Sequence, residues 1–231
     1  MYENVFKRIE QKYLLTKEKK KELFKLINKN LKKDIYYDTT ICNIYFDNKD
    51  KDLIINSLEK PIYKDKVRLR SYGVPSLESN VFLEIKNKYE GIVGKRRIMI
   101  KLKDYYDYIE GNYNNNNNQI MKEIDYLFKY YKLEPFRFVG YHRFSYVDRK
   151  TEKIRITFDD NLTGRDYDLQ LEKGLFGDKY FNNDETIMEI KTENTIPLWL
   201  VNALSKLKIY PVSFSKLGSI YNKRLMEDVY V

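Results

Sequence analysis

Residues 82–98 read FLEIKNKYEGIVGKRRI, and the order of the charges in them decides how the chain is read. In a strand, successive side chains point to opposite faces. Glu84, Lys86 and Lys88 therefore fall on one face, and Leu83, Ile85 and Asn87 on the other. After a turn containing Gly91 and Gly94, Lys95 and Arg97 again share a face. One such stretch is compatible with a sheet face that simply looks at water; recurrence of the pattern is not.

It recurs along the whole chain. Residues 5–15, VFKRIEQKYLL, set Arg8, Glu10 and Lys12 against Ile9, Gln11 and Tyr13. Residues 63–73, YKDKVRLRSYG, place Lys66, Arg68 and Arg70 on one face and Val67, Leu69 and Ser71 on the other. KRRIMIKL from Lys95 puts Lys95, Arg97, Met99 and Lys101 together. FVGYHRFSYVD from Phe138 groups Tyr141, Arg143 and Ser145, and TEKIRITFDD from Thr151 groups Arg155, Thr157 and Asp159. TIMEIKTE from Thr186 groups Glu189 and Lys191. Like charges at successive positions on one face repel, so such faces call for screening, neighbouring acids or a bound polyanion.

Between these strands the helical signals are clear. Thr16 predicts an N-cap for a helix running to about Asn28, with Leu23, Leu26 and Ile27 as its buried stripe. A second amphipathic helix is predicted over 119–131 on Ile120, Ile124, Leu127, Phe128 and Tyr131. Residues 196–209, IPLWLVNALSKLKI, give the strongest helix, and a last one is predicted after Ser215 and Lys216. TTICNIYFD from Thr39 reads as a strand ending at Asp47, with Tyr45 and Phe46 both taken as core and Asp47 as a turn former or a helix cap. Tyr105 to Tyr108 and the run Asn112 to Asn118 read as loop, and residues 161–184 as irregular. With helices covering the apolar faces from outside, the charged faces are expected to point inward. This predicts an α+β fold: a closed or nearly closed antiparallel β-barrel of about eight strands, flanked by helices, in one domain spanning residues 1–231.

Composition narrows the function. The 231 residues carry 43 Lys and Arg against 34 Asp and Glu, a formal net charge of +9, which favours an anionic partner. Nucleic acid, an anionic membrane and polyphosphate-like molecules all satisfy that requirement. Alternating charges directed into an enclosed space argue against RNA, which is bound on exposed basic and aromatic surfaces. The single Cys42 excludes an intrachain disulfide and a multi-cysteine zinc site, and His142 has no companion His or Cys for a metal. No 18-residue apolar segment is present, so a cytoplasmic location is expected.

The ordered set RIEQKY (Arg8 to Tyr13), IYFD (Ile44 to Asp47), KVRLRSY (Lys66 to Tyr72), FLEIKNK (Phe82 to Lys88), KRR (Lys95 to Arg97), YHRFSY (Tyr141 to Tyr146), RITFD (Arg155 to Asp159), MEIK (Met188 to Lys191) and SFSK (Ser213 to Lys216) resembles the VTC domain of the triphosphate tunnel metalloenzymes. The resemblance spans essentially the entire chain in order. It implies an antiparallel tunnel barrel and, in the polymerising members, ATP-dependent polyphosphate synthesis with manganese or magnesium. By position it implies that Lys12, Arg68, Arg70, Lys86, Arg143, Arg155, Ser215 and Lys216 bind phosphates, with Lys191 beside them among the catalytic residues. It implies Glu189 as the metal-binding carboxylate and Glu10 as a second. The wider superfamily has Glu-x-Glu-x-Lys on its first strand, where this chain has Arg8-Ile9-Glu10-Gln11-Lys12; the lost acid favours the polymerase branch over simple triphosphate hydrolysis. The expected partners are ATP and inorganic polyphosphate. No nucleic acid is expected, and any membrane coupling is expected to come through a separate membrane protein. Alternatives are a metal-dependent inorganic or organic triphosphatase and a non-catalytic polyphosphate-binding domain.

Overall fold

The computed structural model describes residues 9–59, 61–90, 92–112, 118–180, 184–193 and 195–229. Arg8, Gly91, residues 113–117 of the Asn run and residues 181–183 of the predicted irregular segment lie outside that set. The strands are β1 (Ile9–Thr16), β2 (Leu31–Asp47), β3 (Tyr63–Tyr72), β4 (Asn80–Tyr89), β5 (Ile92–Lys101), β6 (Glu134–Asp148), β7 (Ile154–Arg165), β8 (Asp178–Lys179) and β9 (Glu185–Thr192). The helices are α1 (Lys17–Ile27), α2 (Asp52–Leu58), α3 (Leu102–Ile109), α4 (Gln119–Tyr131), α5 (Leu198–Lys206) and α6 (Lys216–Val229).

The strands form one sheet in the order β1-β9-β7-β6-β2-β3-β4-β5, with β8 added beside β7. The pairs β1/β9, β7/β9, β2/β3, β3/β4 and β4/β5 are antiparallel. The path begins at β1 and ends at β5, and among the described residues nothing pairs these two ends. The predicted closed or nearly closed barrel is therefore wrong: the sheet is open. That prediction assumed that charged faces lacking counter-charges had to be enclosed. The acids Glu84, Asp159, Asp34 and Glu189 instead stand among the bases and neutralise them locally. The open end at β5 carries Lys95, Arg96, Arg97 and Lys101, charges of the kind that discourage pairing with a foreign strand.

By contacts the chain divides into two compact units. The first comprises residues 1–39, 141–162 and 179–215. Its core is the apolar face of β1, β7 and β9, with Tyr13, Leu15, Ile154, Ile156, Phe158, Met188 and Ile190 packed against Leu23 and Ile27 of α1 and Leu200, Ala203 and Leu204 of α5. Thr16 caps α1 as predicted, accepting a hydrogen bond from the Lys19 amide. Pro197 stands at the N-cap of α5.

The second unit comprises residues 40–140, 163–178 and 216–231. Cys42, Ile44, Phe46, Val67, Leu69, Val81, Leu83, Ile85, Ile98 and Ile100 present its apolar face to Leu53 of α2, Leu102 and Tyr105 of α3, and Met121 and Ile124 of α4. Each fully buried Leu or Ile contributes about 1.5–3 kcal/mol. The loop predicted at Tyr105 to Tyr108 is helix α3, because Leu102 and Tyr105, three residues apart, share the buried side. Asp47 acts as a helix cap at long range, its two carboxylate oxygens accepting from the amides of Leu53 and Ile54. The pair Tyr45 and Phe46 is divided by the pleat. Phe46 joins the core, and Tyr45 looks out from the other face.

Candidate functional site

In the second unit the antiparallel register stacks the charged positions into rows. Tyr45, Arg68, Glu84 and Arg97 lie side by side across β2, β3, β4 and β5. One row over, Lys66, Lys86 and Lys95 are direct neighbours across β3, β4 and β5. On the other side Asn43 stands beside Arg70. Six bases thus surround the carboxylate of Glu84, which is fully buried. Arg68 Nε donates to Glu84 Oε2 at 2.7 Å, and Lys95 Nζ lies 2.6 Å from Glu84 Oε1. Arg70 Nε and Arg97 Nη1 each approach the carboxylate to 4.0 Å. Arg70 Nε also donates to Asn43 Oδ1 at 2.7 Å, and Arg68 Nη1 donates to the Tyr45 hydroxyl at 3.2 Å.

This arrangement shifts three ionisations. Burial pushes the Glu84 carboxyl up, but Arg68, Arg70 and Lys95 outweigh it and hold the group down at about 2. Burial likewise opposes ionisation of Tyr45, yet Arg68, Arg70 and Lys66 bring its phenol down to about 7. Lys95 is lowered to about 8, because desolvation together with Arg68 and Arg70 exceeds what Glu84 restores. The positive potential is therefore strong enough to draw out a phenolic proton near neutrality, and an added oxyanion would relieve it.

In the first unit a second grid is fixed by two registers. Glu10, Lys191 and Arg155 form one row across β1, β9 and β7, and Lys12, Glu189 and Thr157 form the next. Lys191 Nζ lies 2.6 Å from Glu189 Oε1, and Lys12 Nζ lies 3.4 Å from Glu10 while donating to the Phe214 carbonyl at 3.1 Å. Arg143 is gripped through two bonds by the fully buried Asp159, Nε to Oδ1 at 2.6 Å and Nη2 to Oδ2 at 2.8 Å. Burial works against the Arg143 charge, but Tyr141, Asp159 and Glu189 hold its pKa well above the usual value. Arg155 pairs with Asp34, which also accepts from Ser145. His142 pairs with Asp38 at 2.6 Å and packs against Phe144.

Each unit therefore gathers its own share of the predicted residues. Glu10, Lys12, Arg143, Arg155, Glu189 and Lys191 lie in the first, with Ser215 at the end of its last segment. Arg68, Arg70 and Lys86 lie in the second, together with Lys216, which opens α6. Sequence reasoning missed Tyr45, Asn43 and Asp34. The signal for the first two was present in the alternation of Asn43 and Tyr45 with Cys42, Ile44 and Phe46. Asp34 carried none, because β2 begins eight residues before the strand is legible in the sequence.

Comparison with known proteins gives the family. The profile of the VTC domain matches residues 7–222. The chain belongs to the VTC domain family. It thereby falls within the triphosphate tunnel metalloenzyme superfamily. Over 149 residues, 54% of the chain, it is 27% identical to vacuolar transporter chaperone complex subunit 4 of Schizosaccharomyces pombe, of which the match spans 20%. The fold of this VTC domain is similar to that of a provisionally assigned adenylate cyclase from Bacillus halodurans, with TM-score 0.58, 14% identity and coverage of 90% of this chain and 93% of that one. A second provisionally assigned adenylate cyclase, from Vibrio parahaemolyticus, gives TM-score 0.53 at 11% identity, covering 93% and 97%.

The superfamily implies a divalent cation. Among the described residues no group of three His, Cys, Asp or Glu side chains could cage one. The first unit nevertheless offers Glu189 and, on the diagonal position one strand away, Glu10. Beside Glu189, the buried Thr157 Oγ1 has no hydrogen-bond partner among the described residues. One or two carboxylates completed by substrate phosphates and water is how Mg²⁺ is commonly held, and this donor set fits that mode.

Proposed function

We propose that this VTC domain is a divalent-metal-dependent enzyme that cleaves the terminal phosphoanhydride of a bound triphosphate. The observation that carries the reading is the register-fixed row of Lys66, Lys86 and Lys95 next to Arg68 and Arg70. Side-by-side lysines cost stability that a multiply charged phosphate chain restores. Arg68 and Arg70 supply planar donors and Lys86 a compact charge for successive phosphates. In the first unit Lys12, Arg143, Arg155 and Lys191 provide the same chemistry, with Ser215 as a further phosphate contact, and Lys216 adds one in the second. Within the first unit Glu189, with Glu10, would hold Mn²⁺ or Mg²⁺ together with phosphate oxygens bound by the unit's own bases, and the ion would neutralise charge on a phosphoryl group there.

The bases stabilise the charge that develops on the leaving diphosphate while an acceptor takes up the phosphoryl group. With water as acceptor, ATP yields ADP and orthophosphate. A second reading, in which the terminal phosphate of a polyphosphate chain attacks the γ-phosphorus and the products are ADP and a chain longer by one unit, is favoured by the match to the VTC domain. An anionic phosphate acceptor needs no general base. Purified protein incubated with ATP and manganese, with and without a polyphosphate primer, is expected to release ADP in step with either orthophosphate or polymer. Orthophosphate alone assigns the hydrolase, long polymer assigns the polymerase, and retention of both ligands without turnover would sink the enzymatic reading.

Glu189→Gln is expected to lower metal-dependent turnover by about 10²-fold, with a much smaller change in tripolyphosphate affinity. Turnover equal to that of the wild type across a manganese titration would remove Glu189 from the metal.

A further inference from the structure

Arg137 lies in β6 and is 4% exposed. Its neighbour Phe138 belongs to the apolar core of the second unit, so Arg137 takes the opposite face, the one that carries Asn43, Tyr45, Arg68 and Arg70. Its hydrogen bonding is incomplete. Nη2 lies 3.5 Å from Asp166 Oδ2, at the outer limit of a hydrogen bond, and the buried Nε and Nη1 have no acceptor among the described residues. The guanidinium carbon is 5.4 Å from the centre of the Phe136 ring.

Arg165, in the same unit, provides the control. It too is fully buried, and its Nε, Nη1 and Nη2 donate to the carbonyls of Asp168, Gly174, Phe176 and Gln170 at 2.9–3.2 Å, with the guanidinium between the rings of Phe138 and Phe176. The fold thus satisfies a structural arginine when it buries one. Unfilled buried donors are rare in proteins, and a guanidinium cannot escape by losing its proton. Asp166 meets the charge from one side at 3.5 Å, and an oxyanion would meet the two remaining donors and more of the charge than a water molecule could. The same face already carries the six bases around Glu84, so the complementary oxyanion is a phosphate.

We propose that Arg137 is a further phosphate-binding residue of this face, contacted by linear polyphosphate and beyond the reach of short anions. β6 lies next to β2 in the sheet, four strand spacings from β5. That is about 19 Å at 4.8 Å per strand, a span for an extended phosphate chain lying across the strands. The inference deepens the reading of the face as a polyphosphate site and rests on it.

The test compares Arg137→Met with the wild-type chain by calorimetric titration with orthophosphate, tripolyphosphate and a longer linear polyphosphate, and by thermal denaturation without anion. Removing a buried guanidinium whose ion pair to the solvent-exposed Asp166 is long is expected to leave the anion-free chain about as stable as wild type. Affinity for the longer chain is expected to fall by about tenfold or more, and affinity for orthophosphate to stay unchanged. A folded Arg137→Met chain that binds the longer polyphosphate within twofold of wild type overturns the assignment. So does a loss confined to orthophosphate, or lower anion-free stability with unchanged affinity. Should the methionine variant fail to fold, Arg137→Gln is read on the same terms. Wild-type protein that binds the longer chain without turning over ATP sinks the enzymatic reading and leaves Arg137 standing, so the two failures are distinct.

Discussion

Glu84→Gln is expected to lower the stability of the chain by about 3–5 kcal/mol, the usual cost of leaving buried charge uncompensated. The carboxylate is completely buried, holds Arg68 and Lys95 at 2.7 and 2.6 Å, and stands within 4.0 Å of Arg70 and Arg97. Its depression from the usual carboxylate value to about 2 corresponds to roughly 3 kcal/mol of stabilisation. Because the folded-state pKa is lowered, that contribution is complete above the unfolded value and disappears as pH falls toward 2. Acid denaturation should therefore lose this component in the glutamine variant. The effect on ligand binding has the opposite sign. Removing the acid raises the positive potential, so added tripolyphosphate should recover more stability in Glu84→Gln than in wild type. Turnover should still fall by about 10²-fold, since Arg68 and Lys95 lose the group that orients them. Urea denaturation with and without tripolyphosphate checks both signs. A variant within 1 kcal/mol of wild type, or with an equal ligand-induced gain, would show that Glu84 is not the hub of this cluster.

The strands were legible because a period of two separates Arg68 and Arg70 from Val67 and Leu69 whatever the tertiary context. The same period, followed along β2, would have put Tyr45 with the charges; an aromatic beside Phe46 invited the opposite reading. The closed barrel failed for a different reason. Counter-charges come from elsewhere in the chain: Asp159 reaches Arg143 from the next strand, and Asp34 reaches Arg155 from a part of β2 that carries no strand signal. A single sequence shows each base and hides its partner, so enclosure looked necessary when local pairing suffices. Arg137 lay one residue outside the segment legible as a strand, and its significance depends on donors that only coordinates reveal. Glu84 is the contrary case. Its position among bases is written in the sequence, and the register of β3, β4 and β5 decides that it holds those bases in place.

Between pH 7 and pH 9 the affinity of the chain for tripolyphosphate is expected to fall while the stability of the unliganded chain rises. Two groups in the Glu84 cluster titrate in this window, the Tyr45 phenol at about 7 and the Lys95 amine at about 8. Both folded-state values lie below the unfolded ones, so above them the unfolded chain binds more protons than the folded chain. Stability then increases with pH until the unfolded values near 10 are reached. For Tyr45 the contribution is complete above the unfolded value and is lost as pH falls through about 7. Bound polyanion reverses the balance, because it favours the neutral phenol and the cationic amine. Binding above pH 7 must take up protons, and each group weakens affinity by up to about tenfold per pH unit between its free and bound values. The ligand's own charge grows over the same range and works the other way, so the comparison is made between variants. Tyr45→Phe should remove the earlier part of the decline, and Lys95→Arg should remove the later part, since arginine stays charged throughout. If the double variant loses affinity with pH as steeply as wild type, the titrating groups lie elsewhere and the potential ascribed to Arg68, Arg70 and Lys66 is too weak to act on Tyr45.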